Sequence, residues 1–188
     1  MNLFKKKNNT TESEAELNAI ELCIKGNRSA QRAIYERLAP KMFPVCLRYV
    51  GLRDKAEDVL QDGFVTLYAK ISTYKGEGSF EGWARKIFVN TALMYLRKND
   101  ALKMSEELDN VRSHSSSTVS ALDNLGYQEL IRLIAELPAG FRTVFNLFAI
   151  EGLSHKEISE ILNISEVTSR SQYSRARQWL QNKIKGES

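Results

Sequence analysis

Apolar side chains in this chain return every three or four positions and nowhere alternate cleanly with polar ones. That is the period of a helix and not of a strand. Breakers are sparse: the 188 residues hold three prolines, Pro40, Pro44 and Pro138. The expected fold class is therefore all-α.

Leu17, Ile20, Cys23 and Ile24 form a first stripe, broken at Gly26 and Asn27. Ala33, Ile34 and Leu38 carry a second helix toward Pro40, and Val45, Leu47, Tyr49 and Val50 continue the apolar run to Gly51. Asp54 and Glu57 have the spacing of a capping box. Ala56, Val59, Leu60, Phe64, Leu67 and Ile71 are the buried stripe of the helix they open. Gly76 and Gly78 mark a loop, and Ser79 is placed to cap a helix carrying Phe80, Trp83, Ile87, Leu93 and Leu96.

The stretch from Asn99 to Ala121 is different in kind. It holds Ser113, Ser115, Ser116, Ser117 and Ser120, few large apolar residues and no sustained period. Such a composition predicts a flexible linker. The expected organisation is a disordered tail over 1–13, a helical domain over 14–99, a linker over 100–121 and a second helical domain over 122–185.

In the second domain, Tyr127, Leu130, Ile131, Ile134 and Leu137 share a helix face that Pro138 and Gly140 end. Phe141, Val144, Phe145 and Phe148 form another stripe, ending at Gly152. Ser154 and Glu157 match a capping box, with Leu153 and Ile158 placed as its hydrophobic staple. Asn163 suits the left-handed turn after that helix, and Ser165 can cap a last helix running to about Lys183. Two short helices across a tight turn make a helix-turn-helix.

Charge is distributed more tellingly than its total of +4. Asp58, Gln61 and Asp62 lie on the polar side of the helix opened at Asp54, a face that suits a basic protein and repels DNA. The helix after Ser79 reverses the sign, with Arg85, Lys86, Arg97 and Lys98 set against Glu81. On the last helix, no acidic residue stands between Glu166 and Glu187, while Arg170, Arg175, Arg177, Lys183 and Lys185 do. Thr168, Ser169, Arg170 and Gln172 lie near its start, where a recognition helix meets base edges in the major groove. Arginine pairs with guanine and glutamine with adenine. Arg175 and Arg177 are placed for phosphates, which position without specifying. Periodicity and charge alone leave a solvated basic helix as an open alternative. Phe80, Trp83 and Asn90 are the types that hold unstacked bases, and Trp83 fits core packing equally well.

Several classes find no support. Cys23 and Cys46 sit among apolar neighbours, as core thiols do in a reducing cytoplasm. Lys5, Lys6 and Lys7 have no apolar stretch behind them, so no signal peptide is expected, and no run is long enough for membrane insertion. His114 and His155 stand far apart, with no metal-ligand spacing. No phosphate loop or nucleophile motif occurs. The expectation is no catalytic residue, no metal, no cofactor and no small-molecule substrate.

The runs FRTVFNLF at 141–148, EGLSHKEI at 151–158, ISE at 164–166 and SRAR at 174–177 resemble the C-terminal domain of the extracytoplasmic-function (ECF) sigma factors of bacterial RNA polymerase. That family usually has Gly where this chain has Val167, and often Val where it has Ser169. The run DKAEDVLQDGF at 54–64 is similar to the family's polymerase-clamp helix. GSFEGWARKI at 78–87, through Asn90 to LRK at 96–98, is similar to its −10 reading and melting segment. The resemblance implies core-polymerase contacts from Asp58, Gln61, Asp62 and Phe64. It implies −10 contacts from Ser79, Phe80, Trp83, Lys86, Asn90, Arg97 and Lys98, with help from the loop at 74–79. It implies −35 contacts from Ser165, Thr168, Ser169, Arg170, Gln172, Arg175 and Arg177. Core RNA polymerase, promoter DNA and an anti-sigma factor are the implied partners, in the cytoplasm. The competing readings are a stand-alone DNA-binding regulator, which wants a dimerisation seam not visible here, and a nucleic-acid enzyme or helical interaction module.

Overall fold

The computed structural model describes residues 15–98 and 125–186. The expected tail at 1–13 and linker at 100–121 lie outside them. The described residues are helical, in the order α1 (15–24), α2 (Arg28–Val50), α3 (Arg53–Lys70), α4 (Phe80–Lys98), α5 (Leu125–Glu136), α6 (Ala139–Phe145), α7 (His155–Leu162) and α8 (Glu166–Lys185). A 3₁₀ turn, Ile71–Thr73, follows α3, and a π turn, Asn146–Ile150, follows α6.

Helix α2 is the axis of the N-terminal half. The Asn27 side chain accepts from the Ala30 amide at 3.0 Å and starts it. It then runs unbroken past Pro40 and Pro44. An interior proline costs about 3 kcal/mol or more. The opposing force is a continuous buried face of Ile34, Leu38, Met42, Val45, Cys46 and Tyr49, each large apolar member contributing ~1.5–3 kcal/mol. Gly51, at φ +80°, ends it and returns its N–H to the Leu47 carbonyl.

Helices α3 and α4 pack on α2 and on each other. The predicted Asp54 box does not form. The N-cap lies two residues earlier, at Leu52, without a side-chain bond, and the helix begins at Arg53. Glu57 instead accepts from Arg53 Nε at 3.1 Å, and Asp54 is left inside the first turn, where its charge suits the helix dipole. Gly63 lets α3 and α4 approach closely, since a Cβ there would lie 2.3 Å from the Phe88 ring. Leu17 and Ile24 of the first stripe are exposed, and α1 seats itself through Ile20 and Cys23.

In the C-terminal half α5, α6 and α8 enclose a small cluster of Ile134, Leu137, Phe141, Ala176 and Leu180. Ile184, near the end of α8, is exposed. Val144, Leu147 and Ile158 belong instead to the large core built on α2, α3 and α4. The helix-turn-helix forms as its caps dictate. Ser154 and Glu157 make the reciprocal box, Asn163 takes the left-handed conformation at φ 54°, and Ser165 accepts from the Thr168 amide at 2.9 Å.

Candidate nucleic-acid and protein interfaces

The outer face of α3 presents Asp58, Gln61 and Asp62, all exposed. Lys55 Nζ lies 3.7 Å from Asp58, and Gln61 Nε2 is 3.5 Å from the Tyr35 hydroxyl. Val65 continues the same face at helical spacing and is 70% exposed, an apolar residue that the sequence reading passed over although the 61, 62, 65 spacing marks it. Phe64 is a different matter. It is buried between Tyr35, Tyr68 and Phe88, with ring centroids at 4.5, 6.0 and 5.0 Å. The expectation that Phe64 meets a partner is corrected: it belongs to the core and holds the α3 face in place.

On α4, Trp83, Lys86, Asn90 and Arg97 fall on one stripe, because steps of three and four residues nearly complete whole turns. Met94 lies on that stripe too and is 67% exposed, a second residue missed from sequence. Lys86, Asn90, Arg97 and Lys98 are exposed. Arg97 Nη2 donates to the Ile161 carbonyl of α7. Phe80, expected to touch bases, has no exposed surface. It packs between Trp83 at 5.5 Å and Tyr74 at 5.3 Å, under the Arg37 guanidinium, so its role is to support half-buried Trp83 from below. Exposed Ser79 accepts from the Gly82 amide at 3.1 Å and so caps α4. The loop before it is closed by the Tyr74 hydroxyl donating to the Gly78 carbonyl at 2.7 Å. Its glycines both have positive φ, 77° and 74° at Gly76 and Gly78, with open space where a Cβ would stand.

On α8, Val167, Arg170, Ser171 and Ser174 share the outward face, with Arg175 and Arg177 exposed on its two flanks. Arg170 Nη2 is held by Glu166 at 2.8 Å. Val167 is 74% exposed. Thr168 and Gln172 are half-buried on one flank, and the Thr168 and Ser165 hydroxyls are 2.8 Å apart. Ser169 points the opposite way and is fully buried, so its assignment to DNA contact is corrected. Its hydroxyl lies 2.9 Å from His155 Nδ1. The His155 ring stacks on Phe148 at 4.3 Å, half-buried rather than free in solvent. Burial, then the Arg170 charge, push its pKa below the ordinary value, which favours the neutral ring that this hydrogen bond uses. A polar residue at a buried helix position thus has a polar partner across the turn, and the pair ties α7 to α8.

The family description "Sigma-70 region 2" matches residues 34–102, and "Sigma-70, region 4" matches 127–180. A Haemophilus influenzae protein, ECF RNA polymerase sigma-E factor, is 31% identical over 88% of this chain and 93% of its own length. This chain belongs to the ECF sigma factor family. The sigma-E factor of Escherichia coli K12 is 28% identical over 88% of this chain and 92% of its own. The sigma factor RpoE of Bartonella quintana, solved in complex with the anti-sigma factor NepR, shares the fold at a TM-score of 0.52 and 23% identity, over 84% of this chain and 98% of that one. The all-α reading and the presence of two sigma domains therefore hold, and this sigma factor directs promoter-specific transcription initiation. Among its described residues no helix is long and apolar enough to cross a membrane, and no three His, Cys, Asp or Glu side chains gather as a metal site.

Proposed function

We propose that α3 docks this sigma factor on core polymerase through Asp58, Gln61, Asp62 and Val65. The α4 stripe of Trp83, Lys86, Asn90, Met94 and Arg97, with Lys98, takes the opened −10 strand. The outward face of α8 reads the −35 duplex with Val167, Arg170 and Ser171, while Arg175 and Arg177 hold phosphates. Ser165 and Ser79 act as caps that aim these helices, and Thr168 and Gln172 line one flank. The observation that carries this is the reversal of sign between neighbouring exposed faces: acidic and amide on α3, basic on α4 and α8. Opposite signs favour different partners, since an acidic face repels phosphate. The domain limits 14–99 and 122–185 express the same division.

The protein works in the cytoplasm, by binding and not by bond chemistry. An anti-sigma protein holds it inactive, as the pairing of the Bartonella quintana relative with NepR supports. In-vitro transcription from a promoter library with core polymerase tests the scheme. New start sites should appear with this protein, vanish with Asp58→Lys/Asp62→Lys through lost polymerase binding, and vanish with Trp83→Ala or Arg170→Ala while polymerase binding persists. Folded protein that ignores core polymerase yet binds duplex DNA alone would sink the reading in favour of a stand-alone regulator.

A further inference from the structure

One residue on the outward face of α8 does not match its neighbours. Arg170, Ser171, Ser174, Arg175 and Arg177 are polar or cationic, while Val167 is apolar and 74% exposed. It lies on the side of the helix opposite buried Ser169 and Ala176 and belongs to neither hydrophobic core. A β-branched residue forms helix less readily than alanine, so local propensity does not ask for valine here either.

The turn around Val167 is held from several sides. Ser165 caps the helix through the Thr168 amide at 2.9 Å, and the Ser165 and Thr168 hydroxyls lie 2.8 Å apart. The Ser171 hydroxyl donates to the Thr168 carbonyl at 2.9 Å. Ser169, beneath, is tied to His155 of α7 at 2.9 Å. The hydroxyls flanking Val167 are thus engaged within the domain, and its two methyl groups face outward. Glu166 holds Arg170 Nη2 at 2.8 Å and draws the guanidinium back toward the turn that carries Val167. An apolar contact and an oriented cation therefore share one face, three residues apart.

The major groove offers one apolar group, the 5-methyl of thymine. Cytosine and adenine present amines there, and guanine presents two acceptors. Valine can pair with none of these, and a polar edge covered without a partner forfeits its hydrogen bonds to water. At ~1.5 Å of rise per residue, Val167 stands ~4.5 Å along the helix from Arg170, against ~3.4 Å per base pair. The two side chains therefore meet base pairs one or two steps apart.

We propose that Val167 selects thymine in the −35 element: its methyl groups pack on the 5-methyl of a thymine within two base pairs of the guanine that Arg170 reads. This rests on the proposed seating of the outward face of α8 on the −35 duplex. Glycine, which the family usually has at this position, has no methyl group to offer, so the thymine preference is particular to this chain.

Holoenzyme, the full-length chain bound to core polymerase, is titrated with duplexes of a promoter that it transcribes. Each −35 thymine, on either strand, is replaced in turn by uracil, which removes the methyl group and nothing else. One replacement should weaken binding about 3–4-fold, the effect of one buried methyl-sized group. It should fall within two base pairs of the guanine at which Arg170→Ala relaxes specificity. Val167→Ser should bind the thymine and uracil forms of that site equally, and Val167→Ile should keep the difference. Both substitutions alter an exposed side chain, and helical circular dichroism checks the fold before binding is compared. If uracil costs nothing at any position, or costs as much in Val167→Ser as in wild type, the thymine contact is overturned, while the guanine dependence of Arg170 keeps the −35 reading. If Arg170→Ala changes the preference at no base pair while the holoenzyme still selects the promoter, the seating of α8 itself fails.

Discussion

The N-terminal half is held mainly by fat, the C-terminal half mainly by direction. Tyr49, Phe80, Phe88, Ile34, Leu38, Met42, Leu67 and Leu96 are all essentially fully buried on α2, α3 and α4. The C-terminal half has a cluster of five buried residues of its own and places Val144, Leu147 and Ile158 in its neighbour's core. What it has in plenty is aimed polar bonds: the Ser154–Glu157 box, the Ser165 cap, the His155–Ser169 pair, and Asn146 donating back to the Arg142 carbonyl at 2.8 Å. Apolar burial is strong and indifferent to angle. A hydrogen bond contributes only about 0.5–1.5 kcal/mol net but fixes geometry. A half that must present a recognition helix gains from aim, and a half whose core also receives its neighbour's Val144, Leu147 and Ile158 gains from mass.

That contrast can be pressed from its largest consequence downward. Phe88→Ala should cost about 3–5 kcal/mol in urea unfolding, because the ring fills the space beside Gly63 and Phe64. A cost below the range for small core deletions would mean that the N-terminal half does not depend on this packing. Arg142→Met leaves buried carbonyls of both halves without a donor. It should cost about 1–3 kcal/mol for the first unsatisfied group, and should split one unfolding transition into two. If the transition stays single and unshifted, the halves are not coupled through this residue.

Arg170→Ala should weaken −35 duplex binding by about 1–3 kcal/mol and relax specificity at one base pair. Arg175→Ala should instead weaken all sequences alike and lower the salt slope by about 1. Fluorescence anisotropy on a mutated-site series separates the two, and equal effects on every site would place Arg170 on the backbone. Ser154→Ala should cost about 1 kcal/mol as the loss of a cap, read as a small drop in Tm.

The smallest effect is acid sensitivity. The Ser154 hydroxyl and amide hold Glu157 below its ordinary 4.5, so its contribution is complete above that value and fades as pH falls through the lowered one. His155 lies below its ordinary 6.5, so the unfolded chain takes up the ring's proton more readily than the folded one, and stability falls as pH drops beneath 6.5. Both act in one direction. The Tm difference between wild type and His155→Phe should shrink from pH 7 to pH 5, and a flat difference would show that the ring's charge plays no part.

How legible this was depends on range. Caps are local, so Ser79, Ser154, Asn163 and Ser165 could be read from spacing alone and stand where they were placed. The box at Asp54 failed because the helix starts from Leu52, two residues earlier, a poor cap that no local signal marks. Pro138 ends a helix as its type suggests, yet α2 passes through Pro40 and Pro44, since the burial that overrides them comes from α3 and α4. Phe64, Phe80 and Ser169 were misread for the same reason. Residue type says that a side chain can stack or donate, while only the packed neighbours decide which way it faces. Val65 and Met94 were passed over because an apolar type is read as core, although their helical spacing with Gln61, Asp62 and Asn90 puts them on the exposed faces. The contact between the halves left no sequence trace: Arg142 looks like any cation until the carbonyls of two distant helices surround it.

The π turn at Asn146–Ile150 gives the chain an unusual sensitivity to length. There the Glu151 amide reaches back five residues to the Asn146 carbonyl at 2.9 Å, so one residue more than an α-helix needs is wound into the turn. That surplus is taken up in one wider revolution. Before it, Arg142 and Asn146 address the end of α2, and after it Glu151 addresses Arg48 and Arg85. Removing one residue from the turn itself would let it wind as plain α-helix with the bearing of Glu151 nearly kept. Removing one from α6 just before it has no such slack: it would swing everything beyond by ~100°, turn the acidic partner away from both arginines and re-aim the reading head that follows.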